Sequence, residues 1–427
     1  MIDFWLKKAV SFVWSLPVLC LFLCIHLYFT YKTGFVQKKL IYGIRLSVKT
    51  GNGQLSPFEA LSIMLASALG TGNIIGMGTM IAIGGVGSVF WCWISGIFAM
   101  ATKYAETYIC VKYRVLKNGQ YKSGAMYVLS NVCRKKRLGL AFAFFTLLAS
   151  FGIGAAVQSK AIADVCEATM GLQKTPVCTI LALLVGAVVF CGLSGVSVFC
   201  SFCVPAVTFV YMLCCLCLLC INFSYIPQAI GLIIKQAFNF KSAFSGIFYS
   251  GLIMSLRAGI SRGLFTNEAG LGSSPITAGE SDGNCRNAAL CAMSTVFWDT
   301  IVMCLATALC MVTHMVKNNI GGTQIGDGTT LAFMCFGVLP FGRASVALCV
   351  AIFGFASIVG WYFLGQRGYE YIFDTKRLFI FRTIWVLCVF ISPFAKADML
   401  WMFADLLNAL MMFPNLYMLI KLKNEIN

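Results

Sequence analysis

The sequence predicts an all-α polytopic membrane protein that crosses its bilayer eleven times, and three observations carry that prediction. Of 427 residues, 59% are apolar and only 11% charged, whereas a soluble domain carries about 25% charged residues. No charged residue occurs from 175 to 234. As helix that stretch would run about 90 Å against a hydrocarbon core of about 30 Å, so it must cross more than once. The basic residues, which set a net charge of +17, gather in short blocks between the apolar runs.

The spans follow in order. The first covers about residues 9 to 30. It is longer than the apolar region of a signal peptide and lacks a convincing cleavage site, so it is expected to stay as a leading helix. The second, 57–82, contains the glycine-rich run GTGNIIGMGTMIAIGG at 70–85, and the third covers 86–110. Beyond a basic loop come spans at 141–166, 177–195 and 199–222. After a polar-interrupted segment the remaining five fall at 245–270, 288–314, 345–368, 379–394 and 399–420. The polar intervals 111–140 and 315–344 are too short to fold alone, although the second has room for a lid or a surface helix.

The basic residues orient the chain. Lys32, Lys38, Lys39, Arg45 and Lys49 follow the first span, and Lys112, Arg114, Lys117, Lys122 and the run from Arg134 to Arg137 follow the third. Arg257, Arg262, Arg286, Lys376, Arg377, Arg382, Lys421 and Lys423 are assigned to that same side. The other side holds Lys7, Lys8, Lys174, Lys235, Lys241, Lys317, Arg343 and Lys396. The positive-inside rule then places the N-terminus outside and the C-terminus in the cytoplasm, in a cell inner membrane. The positive charge is thus a topology signal, and no nucleic-acid partner is expected. Most of the 21 cysteines lie within spans, as in YMLCCLCLLC at 211–220, where a thiol behaves as a small hydrophobe. No spacing suggests a resident metal, and His26 and His314 are incidental.

The glycine-rich run lacks the lysine of a phosphate-binding loop. A dinucleotide fingerprint needs a soluble strand–turn–helix around its glycines. Close helix packing explains Gly76 and Gly84, but it does not ask for Thr71 and Asn73 beside them. Backbone leaves helical geometry at membrane depth only where protein or a cavity satisfies it. A broken helix offers free N–H groups that suit a carboxylate and free carbonyls that suit a cation. A counterpart, RAGISRGLFTNEAGLGSSP at 257–275, interrupts the seventh span. Two interrupted spans at corresponding places point to a transporter built as a five-plus-five inverted repeat with a leading helix. Its parts are a leading helix and basic cytoplasmic loop (1–50), a first repeat (51–222) and a second repeat (236–420) within one transmembrane domain, 1–427.

These two runs, with FWCWISGIFAMATKYAETYICVKYR at 90–114, FWDTIVMC at 297–304, FGFASIVGWYFLGQ at 353–366 and WMFADLLNALMMFPNL at 401–416, resemble the alanine or glycine:cation symporter family. The resemblance implies inward movement of alanine or glycine with a sodium ion, by alternating access and without a cofactor. It implies substrate contacts from Thr71, Gly72, Asn73, Gly76, Phe265, Thr266, Asn267 and Trp361, and cation contacts from Thr71, Asn73, Thr79 and Ser357. The family usually has serine at the position of Thr266 and two threonines where this chain has Ala356 and Ser357. It also tends to have Gln-x-Asn-Ser where this chain has Gln158, Ser159, Lys160 and Ala161.

Charges inside spans are costly and usually face the protein interior. Lys160 and Asp164, four apart on one helix face, form either a structural pair or a charge near the site. If Lys160 stands in for a bound cation, transport follows protons, and that alternative stays open beside sodium. Lys103 with Glu106, Glu268, Asp299 and Asp405 fit structural or gating roles, and Asp299 is also a candidate to line the pathway. Trp361 lies four residues after Ser357 on the same face, as a pocket wall or as packing. A channel would show a filter repeat or pore-lining rings. An enzyme would show a nucleophile–base pair or a metal cluster. Neither is visible, so no enzymatic activity is expected, and the partners are the bilayer, the amino acid and the cation, with the chain acting as a monomer.

Overall fold

The computed structural model describes residues 2–49, 54–117, 119–238, 249–281, 283–321 and 326–426. Lys241, the first residues of the seventh predicted span and part of the interval 315–344 lie outside the described residues. Among the described residues, six helices are long and apolar enough to cross a membrane: Phe4–Lys32, Lys136–Met170, Gly192–Ile221, Cys285–Lys317, Gly342–Phe373 and Ala397–Lys421. Shorter apolar helices, Pro57–Ala68, Ile75–Gly84, Lys174–Phe190 and Leu378–Phe394, accompany them.

The leading span consists of α1 (Ile2–Val13) and α2 (Leu16–Lys32), and a short α3 (Leu40–Ser47) follows. Next, α4 (Pro57–Ala68) opens with Pro57 at its first position and a capping box between Ser56 and Glu59. Its helical geometry ends before Gly70 and resumes in α5 (Ile75–Gly84). The long α6 (Ser88–Lys112) leads into a hairpin of β1 (Val115–Lys117) and β2 (Gln120–Lys122), paired antiparallel with Leu116 opposite Tyr121. This hairpin departs from the all-helical expectation. An Asn-Gly pair divides its strands in the sequence, and Gly119 has φ +74°, the geometry such turns require.

After α7 (Ala125–Asn131), α8 (Lys136–Ala149) passes through a π-helical stretch, Ser150–Val157, into α9 (Gln158–Met170). Gly171, in the left-handed region, ends α9. Then come α10 (Lys174–Phe190), α11 (Gly192–Ile221), α12 (Ile226–Ala237) and α13 (Tyr249–Asn267), followed by a short α14 (Ser274–Ala278). A second π-helical stretch, Phe297–Cys304, joins α15 (Cys285–Val296) to α16 (Leu305–Lys317). The chain closes with α17 (Gly328–Phe336), α18 (Gly342–Phe373), α19 (Leu378–Ile391) and α20 (Ala397–Lys421). Within the interval 315–344, α17 is the surface helix for which the sequence left room.

Helix α6 packs along α13 and α15, and α18 along α4, α8, α9 and α11. Small residues permit these approaches. Gly259 and Gly263, four apart on α13, lie against Ser88, Trp91, Cys92 and Ser95 of α6, where a side chain would collide. Gly360 of α18 likewise lies on the backbone of Ala66 and Ser67.

The two ends of the bundle differ. At one end, a cavity of about 510 Å³ is lined by Lys7, Thr79, Lys160, Arg262, Asp398 and Asp405 among others. This corrects the assignment of Arg257 and Arg262 to the side of the Arg134–Arg137 run. Both sit on α13 ahead of its break, where Ala258 abuts Gly84 at the far end of α5. Charge counting gave them a side from their place in the chain, but within the seventh span they lie toward its other end. At the other end, ions are buried against one another. The Arg367 guanidinium lies 2.6 Å from Glu280 and 2.7 Å from Glu370. Lys122 is 3.2 Å from Glu370, and Gln54 donates to Glu280 at 3.0 Å.

Gly78 and Gly76 provide a paired test. A methyl group at Gly78 would strike the backbone of Gly328, whereas nothing lies within 4 Å of one at Gly76. Gly78→Ala should lower the melting temperature of the purified protein through overpacking of about 1–3 kcal/mol. Gly76→Ala should leave it unchanged or raise it, because alanine favours helix by about 1 kcal/mol. Thermal scans of both variants check this, and equal melting would mean that α5 and α17 do not touch.

Candidate functional site

The first break is explained by where its backbone hydrogen bonds go. In an unbroken helix the N–H groups of Gly70 and Thr71 would return to Ala66 and Ser67. Here the Gly70 N–H donates to Asn73 Oδ1 at 3.0 Å, and the Thr71 N–H donates to Gln158 Oε1 at 3.1 Å. Thr71 Oγ1 donates to that same Gln158 oxygen at 3.0 Å. The released Ser67 carbonyl accepts from Trp361 Nε1 at 3.1 Å and from Ser357 Oγ at 3.5 Å. Gly70 has to be small: a Cβ there would stand 3.0 Å from Gln158 Oε1 and 3.3 Å from Ser357 Oγ.

The second break begins after Asn267. Glu268 takes φ +54°, and Gly270 and Gly272 take +90° and +77°. Glu106 of α6 holds the loop, its Oε2 accepting from the N–H groups of Gly270 (3.0 Å) and Gly272 (3.2 Å) and from Asn415 Nδ2 (2.8 Å). Lys103, one helical turn earlier, donates to the Glu268 carbonyl at 3.1 Å and lies 3.9 Å from Glu106. The Glu268 carboxylate accepts from Ser273 at 2.5 Å and from Ser67 at 3.4 Å, so it touches the helix of the first break.

The two breaks meet beside the second π-helical stretch, which carries the fully buried Asp299. Asn73 Nδ2 donates to Asp299 Oδ1 at 2.6 Å and Thr300 donates to Oδ2 at 2.7 Å, while Thr266 Oγ1 donates to the Gly263 carbonyl at 3.1 Å. Cys304 lies 3.3 Å from Asn73 Nδ2 and 3.8 Å from Thr266 Oγ1. A Cβ on Gly72 would touch Thr266 and Phe265 at 3.5 and 3.6 Å. π-helical insertions of this kind recur at functional sites, because they turn side chains that an α-helix would point elsewhere.

The structure therefore brings Gly72, Asn73, Phe265 and Thr266 together, with Thr71 and Ser357 adjoining across Gly70 and Gln158. Asn267 caps the second break, its Oδ1 accepting from the Ala269 N–H at 3.0 Å. Trp361 braces the end of α4 and packs on Gly154, where a Cβ would collide with it. Gly76 and Thr79 lie further along α5 on the cavity wall, and Thr79 Oγ1 is occupied with the Ile75 carbonyl at 2.9 Å. Lys160 pairs with Asp164 at 3.0 Å and donates to the Pro393 carbonyl at 3.1 Å, also on that wall. Sequence reasoning missed the bracing by Gln158 and Asn415. Its only signals were a glutamine and an asparagine inside otherwise apolar helices.

The family profile described as the sodium:alanine symporter family matches residues 1–427. The chain belongs to that family. This family member is a transporter and not an enzyme. It is 35% identical to a sodium/alanine symporter, AgcS, of Methanococcus maripaludis, over 97% of this chain and 94% of that protein. It is 28% identical to a probable sodium/glutamine symporter, GlnT, of Bacillus subtilis, over 96% and 86%. Among solved structures, a Na+-coupled sialic acid symporter shares the fold of this sodium:alanine symporter family member, with a TM-score of 0.54 at 13% identity over 94% of this chain and 81% of that one.

Glu106 yields the stability test. Glu106→Ala strands three buried donors, each costing about 1–3 kcal/mol when unsatisfied. Glu106→Gln keeps an acceptor oxygen in place. Thermal denaturation in detergent should show a large drop for the alanine variant and a distinctly smaller one for glutamine. Equal losses would mean that Glu106 acts through its charge alone.

Proposed function

We propose that this protein is a secondary active symporter that carries a small neutral amino acid, alanine or glycine, inward with sodium by alternating access. The observation that carries this reading is the convergence of two interrupted helices: Asn73 of one reaches Asp299 and Cys304, and Thr266 of the other lies against Gly72 and Cys304. The start of α5 presents unbonded N–H groups and the positive end of its dipole, which suit an α-carboxylate. Gly72 leaves the backbone bare there, and Phe265 and Thr266 face it. The freed Ser67 carbonyl and the Ser357 hydroxyl, with Thr71 adjoining, supply hard oxygen ligands for a sodium ion. Thr79 drops out of this set because it lies past the break, along α5 on the cavity wall. Proton coupling through Lys160 is the weaker alternative, since that amine is held by Asp164 and Pro393 away from both breaks.

In this reading the chain crosses the cell inner membrane eleven times as a monomer, with its N-terminus outside and its C-terminus in the cytoplasm. A first repeat (51–222) and an inverted second repeat (236–420) follow the leading helix. Each repeat opens with its broken helix, α4–α5 in one and α13–α14 in the other, which supports the division. The glycine–alanine choice is assigned to the space bounded by Phe265 and Thr266.

Uptake of radiolabelled alanine and glycine into proteoliposomes tests the proposal, with sodium and proton gradients imposed separately. Uptake should follow the sodium gradient at fixed pH. Ser357→Ala should raise the sodium concentration for half-maximal uptake severalfold, and Asn73→Ala should reduce uptake at least tenfold with insertion retained. Sodium-independent uptake driven by pH would overturn the coupling, and parent-like uptake by Asn73→Ala would overturn the site.

A further inference from the structure

The cavity above the breaks contains two opposite charges that the transport site does not use. Arg262 lies on α13, one turn before Phe265, and Asp405 lies on α20, one turn after Trp401. Residues at these spacings share a helix face, so each helix contributes one aromatic ring and one charge to the same place. The rings of Phe265 and Trp401 meet with centroids 5.3 Å apart. The Arg262 guanidinium lies over both, 5.6 Å from the Phe265 centroid and 5.0 Å from that of Trp401. Asp405 is within electrostatic reach of Arg262, and its backbone carbonyl is anchored by the Trp14 indole N–H of the leading span at 3.3 Å.

Other charges around this cavity are engaged or lie on its rim. Lys160 and Lys174 both pair with Asp164 at 3.0 Å, Asp327 caps α17 through the Thr330 N–H at 2.7 Å, and Lys7 and Asp398 are exposed. Among the described residues, the side chains of Arg262 and Asp405 make no hydrogen bond or close ion pair. A guanidinium held over aromatic rings leaves N–H groups free, and its fork matches a carboxylate in two parallel hydrogen bonds. A carboxylate facing it accepts an ammonium. One free cation, one free anion and an aromatic floor are the complement of a zwitterion.

We infer that Arg262 and Asp405 form an outer staging subsite for the transported amino acid. Arg262 takes the α-carboxylate, Asp405 takes the α-ammonium, and the Phe265–Trp401 pair separates this subsite from the breaks. The inference rests on the amino-acid reading proposed above. Phe265 belongs to both sites: it is the floor of the outer one and the neighbour of Gly72 in the inner one. Displacement of one ring therefore connects them.

The test combines equilibrium binding of radiolabelled alanine to the purified full chain in sodium with uptake kinetics in proteoliposomes. The parent should bind two equivalents of alanine. Arg262→Gln and Asp405→Asn should each bind one, and each should raise KM about tenfold with Vmax within twofold, the pattern of lost binding rather than lost turnover. Arg262→Lys, which keeps the charge but not the fork, should fall between. One equivalent in the parent, an unchanged KM in both variants, or a fall in Vmax at constant KM would overturn the subsite. A parent that takes up neither alanine nor glycine under a sodium gradient would overturn the functional reading beneath it.

Discussion

Backbone amides in a membrane interior must find partners within the protein, because no water is there to bond them. Everything at the centre of this molecule follows from that constraint. Two helices are opened, and several of the exposed N–H and carbonyl groups are taken up by side chains from other elements. Gln158 from α9 and the Ser357 hydroxyl and Trp361 indole from α18 serve the first break. Glu106 from α6 and Asn415 from α20 serve the second. The openings are thus held by the helices around them.

The positions of both breaks were legible in the sequence, because glycines mixed with threonine and asparagine have no reason to interrupt an apolar span unless the backbone leaves the helix there. The family resemblance, carried by six blocks, agrees with a profile match along the whole chain. The partners of the breaks were not legible. Asn73 and Asp299 are 226 residues apart, and Glu106 and Asn415 are 309 apart, so only the packing of helices brings them together. The π-helical stretches were equally hidden, since SFGIGAAV reads as ordinary apolar helix. Arg262 was misplaced for a related reason. Charge counting assigns every arginine to a side of the membrane, whereas this one lies over two rings within the bundle. Thr79 matched a motif continued past the break, but helical rise moved it about one turn along α5, onto the cavity wall.

The two ends of the molecule are closed by different chemistry. Above the breaks, a pair of aromatic rings lies by a mixed-charge cavity, and rings shift past one another without leaving a bond unmade. At the far end, the barrier is several elements thick and bound by ions. Gln54 and Leu55 ahead of α4, Lys122 of the hairpin, Glu280 beyond α14, and Arg367 and Glu370 of α18 all converge there.

That ionic closure has a thermal consequence. Arg367, Glu280, Glu370 and Lys122 share their contacts, so separating one from the cluster leaves the others buried without a counter-charge, which is strongly unfavourable. The group must therefore part together and take up water together, as one concerted event. A barrier made of many simultaneous bond losses is enthalpic, and its crossing rate falls steeply on cooling. Cooling will therefore lengthen the time for which Arg367 stays clasped between Glu280 and Glu370.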